Sequence, residues 1–233
     1  ALVALAHRPP DARTWKPNIL ALSGAPSNRW YLIELAHALA GSHGLLTVAA
    51  VLPEATAADR VRQIGATVRD FLQRRHVEAF VKVFPAETPF DGMRTLARAY
   101  GYGPLAPNTI LVGETEDPES YRPYGQLIRQ VHAHGQNLVI VREGESAEAA
   151  AGGRNRVDVW WYGDQQNLGL MLALVTLLTR APGWEHCEIV LKSIVPSPDE
   201  RAAAGERLAR FIRDARLEAR HEIVAPAPAG LWT

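Results

Sequence analysis

Five short apolar, β-rich runs alternate with four amphipathic stretches over residues 18–141, and no other feature limits the fold as tightly. The runs are NILALS (Asn18 to Ser23), LLTVAAV (Leu45 to Val51), AFVKVF (Ala79 to Phe84), TILVG (Thr109 to Gly113) and NLVIV (Asn137 to Val141). Four of them are almost continuously apolar, as strands buried on both faces of a parallel sheet must be. Between them, Trp30 to Ala40, Ala57 to Arg74, Met93 to Tyr100 and Tyr124 to His134 carry apolar residues at helical spacing. Strict alternation of this kind predicts an α/β fold in which helices flank a mainly parallel sheet.

The pattern then stops and restarts. Residues 143–155, EGESAEAAAGGRN, are small, polar and glycine-bearing, the composition of a surface linker. Beyond them come VDVWWY as a strand, Leu168 to Thr179 as a helix, CEIVLKSI as a strand, Pro198 to Ala215 as a helix and ARHEIV (Ala219 to Val224) as a strand. This βαβαβ unit repeats the arrangement of the chain's opening. It predicts two subdomains, 15–144 and a smaller 156–233, joined by a linker at 145–155 and preceded by a connector at 1–14. In the last helix Ser197 can cap the first turn, Pro198 suits the first helical position, and Asp199 and Glu200 favour the positive end of the dipole. Leu208, Phe211 and Ile212 share one face and should lie on the sheet, with Arg207, Arg210 and Arg213 left in water. The sequence closes on APAPAGLWT without a further strand.

Composition removes several functions. The 25 basic and 25 acidic residues cancel, and nucleic-acid binding normally shows as a clustered positive excess. The single cysteine, Cys187, rules out an internal disulfide framework and fits a reducing compartment. It opens a strand and reads as a core thiol, because no motif supplies it with a base. The longest apolar run, Leu168 to Leu178, is far short of the ~20 residues a membrane-spanning helix needs. The opening ALVALA lacks a basic leader and reads as a cut inside a longer protein.

Candidate chemistry is sparse. Strand alternation sends Val157, Val159 and Trp161 to one face and Asp158, Trp160 and Tyr162 to the other, so the two tryptophans build no common platform. Asp158 should pair with a basic neighbour, and Asp164 or Asn167 can cap the helix that follows; a hydrolase using Asp158 or Asp164 is the alternative. That helix is apolar on all sides and must be sandwiched between layers or face a second subunit. The turn SGAPSNR (Ser23 to Arg29) leaves the first strand where open α/β sheets receive ligands, yet it matches neither GxGxxG nor GxxxxGK, and Pro26 removes an amide donor. VGETED lies at a comparable position after the fourth strand. Both read as tight turns, with phosphate binding as the alternative. His132 and His134 diverge on a helix and the other histidines are scattered, so no metal site is expected. No GxSxG or other catalytic signature occurs.

Several stretches together resemble one family, the cytosolic C-terminal domain of the cation-chloride cotransporters, in its prokaryotic form within the amino acid-polyamine-cation transporter superfamily. WKPNILALSGAPSNR (Trp15 to Arg29) is similar to the family's tryptophan, basic residue, proline, strand and glycine-proline turn. NTILVG (Asn108 to Gly113) resembles its fourth-strand motif, and LVIVREG (Leu138 to Gly144) the strand before its linker. VDVWWYGD and LTRAPGWEHCEI (Leu178 to Ile189) are similar to the opening of its second half. The resemblance runs in order along nearly the whole chain.

It implies two Rossmann-like subdomains, similar to universal stress proteins, forming a soluble, non-enzymatic domain on the cytoplasmic side of the cell membrane. Family members use this domain for dimerisation, trafficking and regulation of ion transport, so the implied partners are a second copy of the chain and the transmembrane part of the same transporter, with no nucleic acid and no direct membrane insertion. Some relatives hold a nucleotide in the first subdomain; Ser23, Gly24 and Gly113 match those loop positions. Gly113 is followed by the acidic ETEDPESY instead of the glycine-rich phosphate signature of ATP-binding universal stress proteins. No cofactor is therefore expected, with ATP or another adenine nucleotide as the alternative and a nucleotide-sensing module as the function that would go with it. The chain also departs from its relatives at Asp164, Gln165, Gln166 and Asn167, where many have an acidic pair and glycines, and in lacking the long phosphorylatable insertion of animal members.

Overall fold

The computed structural model describes residues 15–144, 156–162, 167–214 and 216–224. The chain divides into two compact units, Ala1–Gly144 and Glu145–Thr233. The expected connector at 1–14, the linker at 145–155, Asp164 and the closing APAPAGLWT lie outside the described residues.

The first unit is built on a five-stranded parallel sheet. Its strands are β1 (Asn18–Leu22), β2 (Leu45–Pro53), β3 (Phe80–Ala86), β4 (Thr109–Gly113) and β5 (Asn137–Val141), in the order β3-β2-β1-β4-β5. Every residue of β1 and β4 is buried, as their continuous apolar sequence requires. β5 is just as apolar, yet its residues are only half-buried and Ile140 is exposed, because it lies at the sheet's edge.

The helices are α1 (Trp30–Ala40), α2 (Ala58–Arg74), α3 (Pro89–Ala99) and α4 (Tyr121–Ala133). Right-handed crossovers on an order that reverses after β3 place α1 and α2 on one face and α3 and α4 on the other. Trp30 of α1 meets Phe71 of α2 edge to face at 5.7 Å between centroids. On the opposite face Leu96 and Ala97 of α3 and Leu127 and Val131 of α4 close over Leu20, Leu22, Ile110 and Val112.

Two helices start earlier than periodicity predicts. α3 begins at Pro89 because the Thr88 hydroxyl accepts a hydrogen bond from the Asp91 amide at 3.1 Å and proline suits the first helical position. α4 begins at Tyr121 after a short turn in which Asp117 accepts from the Glu119 amide. Apolar spacing carries no record of a capped polar first turn.

The second unit has three parallel strands, β6 (Arg156–Trp160), β7 (Glu188–Ile194) and β8 (Ala219–Val224), in consecutive order. Its helices are α5 (Leu168–Leu178) and α6 (Arg201–Asp214), the latter preceded by a single 3-10 turn over Pro198–Glu200. The Ser197 hydroxyl caps that turn by accepting from the Asp199 amide at 3.3 Å. Both helices pack on one face of the sheet, where Leu168, Leu172 and Val175 of α5 and Leu208 and Ile212 of α6 meet Val159, Leu191 and Ile223. Arg207, Arg210 and Arg213 are exposed on the side away from α6's apolar stripe, as that stripe predicts. Two local details differ from the sequence reading, with Asp164, the other capping candidate, outside the described residues. Asn167 flanks α5 without donating or accepting a capping hydrogen bond through its side chain. Cys187 is half-buried, because it sits in the turn before β7 and not within the strand.

Candidate functional site

The strand order of the first unit reverses between β1 and β4, and a crevice opens at the carboxyl ends of strands on either side of such a switch. Leu22 pairs with Val112 across the two strands, so Ser23 and Gly113 leave the sheet side by side. Ser23 is 1% exposed, and its hydroxyl has no hydrogen-bond partner among the described residues. Gly24 follows with φ of 66°, the left-handed conformation that lets the chain turn towards α1. At Gly113 a side chain would stand 3.3 Å from both the Arg29 guanidinium and the Tyr31 hydroxyl, so glycine permits α1 to approach β4 closely.

A cavity of about 380 Å³ occupies this position, bordered by Arg29, Tyr31, Glu114, Glu116, Asp117 and Arg142. None of Ser23, Gly24 and Gly113 lines this cavity; its wall comes from residues that follow them in the chain or neighbour them in the sheet. Arg142 bridges the wall, 3.3 Å from Glu114 and 4.0 Å from Glu116. Asp117 is engaged in its own turn, where it also accepts from the Ser120 hydroxyl at 2.8 Å. Tyr124 reaches in from α4 and donates to the Gly113 carbonyl at 3.0 Å. Burial pushes its phenol up to about 12, the Glu114 carboxylate adds to the rise and Arg29 opposes it. The phenol is therefore a fixed hydrogen-bond donor at neutral pH.

The electrostatics do not suit a polyphosphate. With Glu143, four carboxylates face two guanidiniums on the lining, and like charges at these distances disfavour an anionic guest. The acidic run after Gly113 announces this in the sequence. Arg29 and Arg142 were not legible there, since they come together only through the register of β1, β4 and β5.

On the second unit, Asp158 lies on the sheet face opposite the helices. Its carboxylate accepts from Arg156 Nε at 2.6 Å and from Lys192 Nζ at 3.0 Å. Glu222 completes the cluster, 3.3 Å from Arg156 and 3.6 Å from Lys192. Trp160, 47% exposed, has the Lys192 ammonium 5.1 Å from its ring centroid. Trp161 turns inwards and stacks near Phe211 at 6.3 Å. The two tryptophans therefore occupy opposite faces, and Asp158 has both oxygens committed to cations in a structural ion-pair lattice. Among the described residues no cluster of histidine, cysteine or carboxylate side chains could hold a metal ion.

These features define a doubly wound α/β protein with a second, smaller parallel sheet. The family model of solute carrier family 12 matches residues 29–149, which is more than half of the chain. The chain belongs to solute carrier family 12. Its fold is similar to that in the crystal structure of the cytoplasmic domain of a prokaryotic cation chloride cotransporter, with a TM-score of 0.66 at 15% sequence identity over 92% of this chain and 80% of that one. Both findings support the resemblance read from the ordered sequence motifs.

Proposed function

We propose that this chain is the cytosolic regulatory and dimerisation domain of a cation-chloride cotransporter-like membrane transporter, itself non-catalytic and acting on the transmembrane part of the same protein from the cytoplasmic side. The observation that carries this reading is the family match over residues 29–149, joined to a fold like that of a cotransporter's cytoplasmic domain. No helix among the described residues is long and apolar enough to cross a membrane.

The dimerisation part rests on α5. One stripe, Leu168, Leu172, Val175 and Leu178, is buried in the unit's own core. A second stripe at helical spacing, Leu170, Leu174 and Leu177, stays partly exposed. A helix that is apolar on its outward side as well needs a second cover, and another copy of the chain supplies one. Light scattering across a concentration series is expected to give twice the 25.5 kDa chain mass. Leu174→Glu should return the particle to a single chain while its circular dichroism spectrum stays that of the wild type. A wild-type particle that remains a monomer at the highest concentration overturns the dimer. In the intact transporter Leu174→Glu should change the rate of ion flux without abolishing it, and an unchanged rate would remove the regulatory role.

The nucleotide-sensing alternative meets the surplus of carboxylates at the crevice. Titration calorimetry with ATP, ADP and AMP is expected to be silent at millimolar ligand. A saturable one-to-one heat with any of them would make the crevice a nucleotide site and favour the sensing module.

A further inference from the structure

A larger cavity, about 490 Å³, opens at the other end of the first unit's sheet, at the amino ends of β1, β2 and β3. It exists because α3 stops at Ala99 and the chain then swings out through Tyr102 and Leu105 before re-entering the sheet as β4. The lower part of β3 is left without a helix over it, and Phe80 is consequently 61% exposed. The floor is formed by Phe80, Lys82 and Phe84, which alternate onto one face of this edge strand, with Thr47 beside them on β2. Tyr100 and Tyr102 belong to the same lining.

The polar groups at the edge are already used internally. Asn18 donates from its side chain to the Leu105 carbonyl at 2.7 Å and the Ala106 carbonyl at 3.0 Å, and the Thr47 hydroxyl lies 3.5 Å from that of Tyr100. Lys82 differs. It is the only charged residue on the lining, it is half-buried between two phenylalanines, and it forms no ion pair or hydrogen bond with a described residue. The cavity's volume falls in the range of roughly 300–1,000 Å³ typical of small-molecule sites, where apolar walls surround a few placed polar groups. A cation on such a wall is best matched by a ligand that brings one negative charge on an apolar body, since a neutral guest would leave the ammonium without a partner and a polyanion would exceed the single positive charge.

We propose that this cavity is a binding site for an apolar organic monoanion, with the carboxylate or sulfonate on Lys82 and the aromatic or acyl body against Phe80, Phe84, Tyr100 and Tyr102. The site is separate from the crevice at the carboxyl ends of the strands and does not depend on the function proposed above.

The test uses the purified chain with anilinonaphthalene sulfonate as fluorescent probe and decanoate, decanol and naphthoate as competitors. The probe is expected to bind saturably at one per chain. Decanoate should displace it about tenfold better than decanol, the ratio an ion-assisted hydrogen bond supplies. Comparing decanoate with naphthoate distinguishes an acyl from an aromatic body. Lys82→Met should abolish the preference for decanoate over decanol, and Lys82→Arg should keep it. Ala99→Trp, at an exposed lining position that is not part of the core, should block probe and competitors alike with an unchanged melting temperature. Unsaturable probe binding, probe binding that survives Ala99→Trp, or a decanoate preference that persists in Lys82→Met would each overturn the site, as would a folded wild type that binds none of these molecules.

Discussion

Leu191→Ala is expected to destabilise the second unit by about 3 kcal/mol, the middle of the range for emptying a fully buried leucine position. Leu191 is 0% exposed at the centre of β7, itself the central strand of three. It lies in the one apolar layer between sheet and helices, in the same cluster as Leu172, Val175, Leu208 and Ile223. Neighbours on both helices and on β8 hold their places, so the vacated volume has little room to collapse. A core this small also has few other contacts to absorb the loss. Scanning calorimetry should resolve two transitions in the wild type, and the variant should lower the one belonging to this unit by more than about 10 °C. The other transition should not move. A single transition shifting as a whole would show that the two units do not unfold independently.

Lys192→Met is expected to cost about 2 kcal/mol at neutral pH, between the roughly 0.2–1 kcal/mol of exposed ion pairs and the roughly 3–5 kcal/mol of buried ones. The Lys192 side chain is 14% exposed and stands between Asp158 and Glu222. Removing its ammonium leaves two carboxylates held by Arg156 alone. The pH dependence carries a sign as well. Partial burial works against the charged form of Asp158, yet hydrogen bonds from Lys192 and Arg156 prevail and hold its carboxyl below the usual carboxylate range. The hydrogen bond from Arg220 does the same for Glu188.

A carboxyl whose folded pKa is depressed contributes stability that is present above the unfolded value near ~4 and disappears as pH falls through the folded value. Wild-type melting temperature should therefore fall on acidification below that range. In Lys192→Met the depression of Asp158 is relieved, so the variant should lose less on the same acidification and the two curves should converge. Parallel curves would show that Lys192 contributes packing and not charge. Asp158→Asn should follow the same convergence. Its agreement with Lys192→Met would assign Asp158 to the lattice, whereas a hydrolytic activity lost only in Asp158→Asn would return it to catalysis.

Much of the architecture is legible in the amino-acid sequence. β1 and β4 read as doubly buried because nearly every residue in them is apolar or small, and they occupy the middle of the sheet. α6 declared its inner face through Leu208 and Ile212. The outward turn of Asp158 and Trp160 followed from simple alternation, since successive side chains in a strand must point to opposite faces. The ordered motifs carried the family resemblance as well.

The sites were less legible. Ser23 and Gly113 are far apart in the chain and neighbours in space only because the strand order reverses between β1 and β4. Arg29 and Arg142 reach the same crevice for the same reason. AFVKVF discloses a lysine among apolar residues, but not that α3 ends short of it and leaves Lys82 facing a cavity. Local sequence determined which residues pair with water and which with each other along one element, because helix and strand periods are properties of the chain itself. Which strands became edges, which loops met and where a cavity remained were decided by the packing of distant elements, and no local period encodes that.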